Sequence, residues 1–499
     1  MKTTKKILKS AGIFTGMIGC SAIISLFLGS CKSEKDKQEQ QNPNIIFIMA
    51  DDLGWKDVSY MGSEYYETPN IDSLASQGMI FTDAYASAAN CAPTRACLMS
   101  GQYSPRHGIY TVNNADRGVD SLRKLIPIKN ETVLDTNVYT MAEALARAGY
   151  ESASMGKWHL GDPPDHGPEA QGFDLNVAGW HMGHPRTYFS PYKNPALEDG
   201  PEGEYLTDRL TEDAVTFIKD NRENPFFLYL PYYSVHSPHQ AKEAETAHFK
   251  KKEPWDGHND PVYAAMIHSV DRGVGRIMKT LNELNLKEET IVIFYSDNGG
   301  VGGYEENGII QWRITSQNPL RGGKGMFYEG GIRVPLVVRW PGKVEAGSRC
   351  HTPVISVDFY PTFLDLAGIE KEKGKTLDGK SILPLLKQED TFEREAIYWH
   401  FPAYLQGQKG TFRTRPVSVI RSGEYKLLEF FEDDRLELYN LEKDIGEEND
   451  LSDQMPEKTR ELHQQLKQWR ESVDAPVPSE LNPEYHRYEA AAAEREGEN

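Results

Sequence analysis

The sequence has few cysteines, no excess of positive charge and no internal repeat. Its 499 residues include five cysteines, and 74 Asp and Glu against 55 Lys and Arg give a net charge of −19. A protein that neutralises nucleic-acid phosphates needs a basic surface, so this balance argues against a nucleic-acid partner. An anionic substrate would have to be attracted by a few local cations or by a metal ion, because the overall field is repulsive.

The first 30 residues have the pattern of a bacterial lipoprotein signal. Four lysines within the first ten residues precede an apolar stretch over residues 11–29, and an LGSC motif resembling a lipobox ends at Cys31. A membrane-spanning helix is the alternative, since the stretch is nearly long enough. We favour removal of residues 1–30, lipidation of Cys31 and a solvated tether over residues 31–43. The protein is then expected to be exported and lipid-anchored to a membrane, in the periplasm or at the cell surface.

Two predicted buried strands end in oxygen-bearing side chains. Asp51 and Asp52 follow an apolar run that begins at Asn44, and Asp297 and Asn298 follow another that begins at Thr290. Open α/β sheets place ligands beyond the carboxyl ends of their strands. Solvated turns are the alternative, but adjacent carboxylates repel and are easier to keep together on a cation. These oxygens favour Ca²⁺ or Mg²⁺ over Zn²⁺.

Basic side chains follow other predicted elements. Lys157 and His159 come after a strand near residues 151–154, and two residues apart at a strand end they would point to the same side. The alternative to a functional pair is an exposed lysine beside a partly buried aromatic pair. His236 and His239 follow the strand predicted at 225–233. Each could be a general acid or a metal ligand, or could simply pack in a turn. Lys324 lies in a Gly-rich loop and could reach an oxyanion, although a GGKG alone is a weak signal.

The segment from Gly172 to Pro195 reads as a loop rich in aromatic and basic residues. It could line a pocket for a sugar, or carry histidines that are merely solvated. The candidate substrate-binding residues are Trp180, His181, His184 and Arg186.

The order of predicted elements indicates an α/β domain followed by a smaller sheet. Buried strands alternate with amphipathic helices over residues 44–378. From Gly379 four short strands follow without intervening helices, which predicts a small antiparallel sheet and a terminal helix over residues 379–475. We expect residues 476–499, which end in a run rich in Glu and Ala, to form a mobile tail.

The motif Cys91-Ala92-Pro93-Thr94-Arg95 is unusual for a loop of small and polar residues. A disulfide with Cys97 or two inert thiols are the simplest interpretations. Removal of Cys20 and acylation of Cys31 would leave an odd number of cysteines, which weakens the disulfide. A helix beginning near Thr94 would put Cys91 close to a helix N-terminus, where anions are favoured.

Together these motifs resemble those of the type I, formylglycine-dependent sulfatases of the alkaline phosphatase superfamily. The resemblance runs from about Asn44 to Ala475, and Cys91-x-Pro93-x-Arg95 looks like the family's modification signature. Thr94 is found where many members have Ser. The resemblance implies an α/β fold with a large mixed, mostly parallel sheet sandwiched by helices.

The resemblance also implies the roles of the site residues. A maturase would oxidise Cys91 to formylglycine, whose hydrate attacks the sulfur of a sulfate ester. Arg95 would orient this diol, Lys157 and Lys324 would bind sulfate oxygens, His159 would be a base, and His236, or less favourably His239, an acid that protonates the leaving alcohol. The implied ligands of one calcium ion, with magnesium possible, are Asp51, Asp52, Asp297, Asn298 and the hydroxyl derived from Cys91.

The expected substrates are sulfated oligosaccharides or glycans, with a preference for galactose or N-acetylgalactosamine sulfates. One alternative is a phosphatase or phosphodiesterase of the same superfamily, which would normally need a Ser or Thr nucleophile and two His-rich zinc sites. The other is an inactive glycan-binding lipoprotein, against which the full set of expected catalytic residues argues.

Overall fold

A computed structural model describes residues 42–305, 308–309, 313–408 and 410–485. The predicted signal over residues 1–30, the lipidation site Cys31 and nearly all of the tether at 31–43 lie outside these ranges. Among the helices of the described residues, none combines the length and the apolar character that a bilayer span requires.

The described chain alternates strands and helices in its first three quarters and then forms a run of short strands. The strands are β1 (Asn44–Ala50), β2 (Met79–Phe81), β3 (Ala84–Tyr85), β4 (Glu151–Met155), β5 (Leu175–Val177), β6 (Phe226–Pro231), β7 (Thr290–Ser296), β8 (Leu336–Arg339), β9 (Ser348–Cys350), β10 (Val354–Ile355), β11 (Ile397–Phe401), β12 (Leu405–Gln406), β13 (Phe412–Thr414), β14 (Val417–Ser422), β15 (Tyr425–Phe430) and β16 (Arg435–Asn440). The α-helices are α1 (Pro69–Ser76), α2 (Cys91–Ser100), α3 (Ser104–His107), α4 (Met141–Arg147), α5 (Leu206–Asp220), α6 (Glu243–Phe249), α7 (Pro261–Glu283), α8 (Glu329–Ile332), α9 (Phe359–Leu366), α10 (Leu383–Leu386) and α11 (Pro456–Ser472).

An eight-stranded mixed sheet forms the centre of the fold, in the order β5-β4-β6-β1-β7-β8-β2-β9. The five strands from β5 to β7 are mutually parallel, and only β8 runs antiparallel to its neighbours β7 and β2. The carboxyl ends of β4, β6, β1 and β7 therefore meet at one edge of the sheet. The predicted large, mostly parallel sheet is confirmed.

Helices cover both faces of this sheet because its central strands are apolar on both sides. All seven residues of β1 are buried, with Ile46 and Ile48 on one face and Ile45 and Phe47 on the other. Buried residues of α1, α5, α6 and α7 pack on the first face, and those of α2, α4, α9 and α10 pack on the second. This arrangement is the predicted sandwich.

The C-terminal sheet has the order β11-β14-β15-β16 and is antiparallel throughout, as predicted. Its core also contains Cys97 from α2 and Phe327 from the loop after β7, so this subdomain shares a core with the main domain. Ile382 and Leu386, placed by prediction in the C-terminal part, instead pack in the main core.

A buried ion cluster ties the C-terminal sheet to α8. The carboxylate of Glu329 accepts hydrogen bonds from Arg333 Nε at 2.6 Å and from Lys426 Nζ at 2.9 Å. Lys426 Nζ also lies 2.8 Å from Glu447 Oε1, and burial raises the pKa of Glu447 to about 7. Lys426 therefore pairs with two buried carboxylates, and of these Glu329 is the more readily ionised.

Two predictions about extended segments need correction. The segment 172–195, predicted to be a loop, contains the short edge strand β5. The sequence does not indicate this strand, because Leu175 is exposed and Asn176 at its centre is polar. Residues 476–485 are packed and not free, because Ile126 N donates to Glu480 O and Asn482 Nδ2 donates to Arg123 O. The rest of the predicted tail lies outside the described residues.

Candidate active site

The oxygen-rich ends of β1 and β7 converge because the two strands are neighbours in the sheet. Ala50 pairs with Ser296, so the next residues of both strands lie side by side. Asp52 N donates to Asp297 Oδ1 at 3.2 Å, and Asn298 Nδ2 donates to Asp52 Oδ1 at 2.8 Å. The two oxygen-bearing strand ends that the sequence predicts therefore lie together.

Cys91 is the first residue of α2, a helix whose ten residues are all buried. Thr94 anchors the preceding loop, since its Oγ1 donates to Ala88 O at 3.0 Å and accepts from Ala88 N at 3.2 Å. Burial raises the pKa of Cys91, against the opposing effect of Lys157 and Lys324. An unmodified thiol here is therefore poorly ionised, although it lies at a helix N-terminus.

Arg95 joins α2 to two strand ends. Its Nε and Nη2 donate to Asp297 Oδ2 at 3.0 and 2.7 Å, and its Nη1 donates to Lys157 O at 2.7 Å. None of these hydrogen bonds reaches Cys91. The resemblance implies that Arg95 orients the group at position 91, and this role stays a prediction.

Two lysines neutralise the two adjacent aspartates. Lys157 Nζ lies 2.7 Å from Asp51 Oδ2, and Lys324 Nζ lies 2.6 Å from both oxygens of Asp52. Burial raises the pKa of Asp51, and the charges of Asp297 and Asp52 add to the rise. Burial also opposes ionisation of Asp52, but Lys324, followed by His236, outweighs it and lowers the pKa of that carboxyl.

Several donor atoms of the site are available to a cation. Asp51 Oδ1 and Asn298 Oδ1 are buried and have no hydrogen-bond partner among the described residues. Such orphaned oxygens are costly to bury unless something binds them. Ligand atoms of Asp51, Asp52, Cys91 and His236 lie within 4.8 Å of one another. The carboxylate oxygens of this group, with the amide oxygen of Asn298, fit a hard cation.

The tight donor group differs from the expected one, because it contains His236 and not Asp297. Arg95 holds one carboxylate oxygen of Asp297, and Asp52 N donates to the other. Both carboxylate oxygens of Asp297 are therefore already engaged in hydrogen bonds.

The two histidines of the site differ in their surroundings. His236 Nδ1 donates to Ser237 O at 2.8 Å, which leaves Nε2 facing Asp52 Oδ2 at 3.6 Å. Burial, followed by the charge of Lys324, lowers the pKa of His236. His159 is buried with an unpartnered Nδ1, and a Cβ at Gly183 would lie 2.2 Å from its ring, so only glycine permits this approach.

A cavity of about 680 Å³ opens above Cys91. It is lined by His159, His236 and Lys324 from the site, and by His181 and His184 from the predicted substrate loop. The ring of His184 stacks on that of His236, with centroids 6.0 Å apart. His239 does not line this cavity in the described structure and instead meets the edge of the Tyr263 ring.

Two of the predicted substrate-binding residues do not line this cavity in the described structure. Trp180 is 5% exposed and belongs to the apolar core, and Arg186 is exposed outside the described cavity wall, 5.8 Å above the Trp180 ring. Sequence reasoning also missed lining residues, among them Arg117 and Arg413. Their segments carry no motif, so only tertiary structure could have found them.

Comparisons with known proteins agree with this architecture. The sulfatase family model matches residues 43–369, and the model for the C-terminal region of N-sulphoglucosamine sulphohydrolase matches residues 323–472. A Formosa agariphila sulfatase is 34% identical, across 93% of this chain and 95% of the relative. The N-acetylgalactosamine-6-O-sulfatase of Bacteroides thetaiotaomicron is 31% identical, across 87% of this chain and 94% of the relative. The crystal structure of Ps i-CgsB superposes with a TM-score of 0.72 at 34% identity, covering 89% of this chain and 95% of that one.

The chain belongs to the sulfatase family, within the alkaline phosphatase superfamily, and is a sulfuric ester hydrolase. Family membership favours this activity over the phosphatase or phosphodiesterase alternative.

Proposed function

We propose that the protein removes sulfate groups from glycans by using a formylglycine made from Cys91 beside a calcium ion. The observation that carries the proposal is the position of Cys91 at the floor of an open cavity, among buried carboxylates and lysines. The high pKa that burial gives the thiol agrees with conversion to another group before catalysis, because an unmodified thiol would be a poor nucleophile there.

The metal site is assigned to Asp51, Asp52, Asp297 and Asn298, with magnesium as the second candidate ion. Two orphaned oxygens, Asp51 Oδ1 and Asn298 Oδ1, support this assignment. Such a cation supplies Lewis-acid stabilisation of negative charge. A formylglycine hydrate supplies a hydroxyl nucleophile and a second hydroxyl through which sulfate is released. Both groups would be held in the fixed environment that α2 and the ends of β1 and β7 provide.

The remaining residues handle charge and protons. Lys324 reaches the cavity and, with Lys157 behind it, places positive charge where the sulfate oxygens would lie. His236 lines the cavity and, when its imidazole carries a proton on both nitrogens, would donate the Nε2 proton to the departing alcohol oxygen. His159 has a buried, unpartnered nitrogen and would accept a proton as the sulfate leaves.

The sugar specificity is inferred from the relatives. The relative from Bacteroides thetaiotaomicron is named as an N-acetylgalactosamine-6-O-sulfatase, and a second structure of Ps i-CgsB contains k-i-k-neocarrahexaose. These names support a sulfated glycan and agree with a galactose or N-acetylgalactosamine sulfate. Export, lipid anchoring at Cys31 and activation by a maturase complete the proposal.

Sulfate release from a panel of sulfated monosaccharides tests the proposal. Protein made in a host with a formylglycine maturase should release sulfate, preferentially from galactose or N-acetylgalactosamine sulfates. Cys91→Ala should reduce release by more than about 10³-fold. Cys97→Ala, which removes the other thiol of the same helix, is the matched control and should retain activity.

Two results would contradict the proposal. Faster release of phosphate from phosphate esters than of sulfate from sulfate esters would favour the phosphatase alternative. Binding of the panel without release, in protein whose Cys91 is shown to be converted, would favour the inactive glycan-binding protein.

A further inference from the structure

The cavity above Cys91 is lined by positive charge although the chain is acidic. Its described wall carries three permanent cations, Lys324, Arg117 and Arg413, and no Asp or Glu among the described residues that line it. The whole chain has a net charge of −19. An anionic substrate is therefore drawn to this cavity by a local field that the rest of the surface opposes. Lys324 is part of the catalytic site, whereas the two arginines have no role there.

Arg117 lies in the connection between α3 and α4 and is half-buried. Among the described residues it makes no hydrogen bond and no ion pair with a carboxylate. Burial lowers its pKa, and the charge of Arg413 lowers it further. Two neighbouring guanidinium groups repel, so an anion that binds between them would relieve a cost already present in the fold.

Arg413 comes from β13 of the C-terminal subdomain and lies beside the loop that carries Lys324. Its guanidinium lies 5.0 Å above the ring of Tyr304, and its Nη1 lies 3.5 Å from Lys324 O. Gly325 leaves room for this approach, because a Cβ there would lie 3.2 Å from Arg413 Cδ and 2.4 Å from Leu405 Cδ2. Arg413 is therefore fixed next to Lys324, the lysine proposed to bind oxygens of the sulfate that is cleaved.

We infer that Arg117 and Arg413 form a subsite for a second anionic group of the glycan, either a sulfate ester or a uronic acid carboxylate. The inference rests on the proposed function, in which the first sulfate lies beside Lys324. A planar guanidinium binds both kinds of oxyanion with two parallel hydrogen bonds. The preferred substrates would then carry at least two anionic groups close together, and the subsite would also help to select which sulfate enters the catalytic position.

Calorimetric binding to the Cys91→Ala protein tests the subsite without turnover. The probes are N-acetylgalactosamine 6-sulfate, N-acetylgalactosamine 4,6-disulfate and a glucuronyl-N-acetylgalactosamine 6-sulfate disaccharide. At least one probe with two anions should bind about 10-fold more tightly than the first, which is the scale of one charge-assisted contact. The disulfate and the disaccharide distinguish a sulfate partner from a carboxylate partner.

Arg117→Gln, added to Cys91→Ala, should abolish this difference while changing the affinity for the single-anion probe less than threefold. Arg413→Gln provides a second test from the other side of the subsite. The matched control is Arg222→Gln, which removes the same charge from an exposed position before the amino end of β6, away from the carboxyl ends that form the site.

The subsite is refuted if all three probes bind equally, or if Arg117→Gln weakens all of them by the same factor. Sulfate release by the unsubstituted protein is measured separately on the same probes. A two-anion binding preference without any sulfate release would leave the subsite standing and overturn the proposed function.

Discussion

Arg95 Nη2 lies 2.7 Å from Asp297 Oδ2, and the two side chains are only 1% and 0% exposed. Arg95 lies one turn after Cys91 on α2, and Asp297 directly follows β7, the strand next to β1. This buried pair therefore fixes the helix that carries Cys91 to the strand ends that carry the carboxylates.

Arg95→Met is expected to destabilise the fold strongly, because it leaves the Asp297 carboxylate buried without its partner. Loss of one member of a buried ion pair typically costs about 3–5 kcal/mol of unfolding free energy. Urea denaturation would measure the change. Lys129→Met, which breaks an exposed pair with Glu131, is the control and should have no measurable effect. A change of less than about 1 kcal/mol for Arg95→Met would show that the pair is not a structural anchor.

Calcium should stabilise the folded protein, since Asp51 Oδ1 and Asn298 Oδ1 have no partner among the described residues. A ligand at about 100 times its Kd adds about 2.7 kcal/mol, so Tm should rise when calcium is added to chelator-treated protein. Magnesium tests the second candidate ion. Asp51→Asn should remove most of the shift. An unchanged Tm with either ion, together with full activity after chelation, would refute the metal site.

The roles of His236 and His239 can be distinguished by comparing substrates with different leaving groups. If His236 protonates the departing alcohol, His236→Ala should lower kcat by about 10²–10⁴-fold for sugar sulfates. The loss should be much smaller for a nitrophenyl sulfate, whose phenolate leaves without protonation. His239→Ala should lack this contrast, because His239 lies against Tyr263 and outside the described cavity wall. Equal losses on both substrates for His236→Ala would argue against the acid role.

His400 should make the protein acid-sensitive. It is buried in its neutral form, with Ser418 Oγ 2.7 Å from Nδ1 and Pro476 O 3.0 Å from Nε2, and burial lowers its pKa to about 4. A pKa lowered in the folded state gives stability that is present above the ordinary pKa near 6.5 and is lost as pH falls towards 4. The contribution is about 3 kcal/mol at most.

Unfolding free energies of the wild type and His400→Gln, measured from pH 7 to pH 4, would test this. The wild type should lose more stability than the variant over that interval. His351→Gln, an exchange of an exposed histidine, should follow the wild type. Parallel curves for wild type and His400→Gln would contradict the prediction.

The parts of the site that could be predicted are those whose position follows from the local sequence pattern. An apolar run followed by acidic residues identifies a buried strand and its functional end, and parallel pairing then brings Asp52 and Asp297 together.

The missed parts depend on contacts between distant segments. Arg117 and Arg413 are almost three hundred residues apart, and only the packing of the C-terminal sheet beside the Lys324 loop brings them to one cavity. The packing of Trp180 in the core could not be predicted, because an indole in a polar loop has the same sequence pattern whether it faces a sugar or the core. No periodicity distinguishes the two cases.

The mass of the peptide containing Cys91 tests the central claim most directly. The protein should be purified from a host that contains a formylglycine maturase, digested and analysed by mass spectrometry. We predict a species about 18 Da lighter than the cysteine peptide, as expected when CH₂SH is replaced by CHO. A peptide that carries only unmodified cysteine, in protein that nevertheless releases sulfate at full rate, would contradict the account.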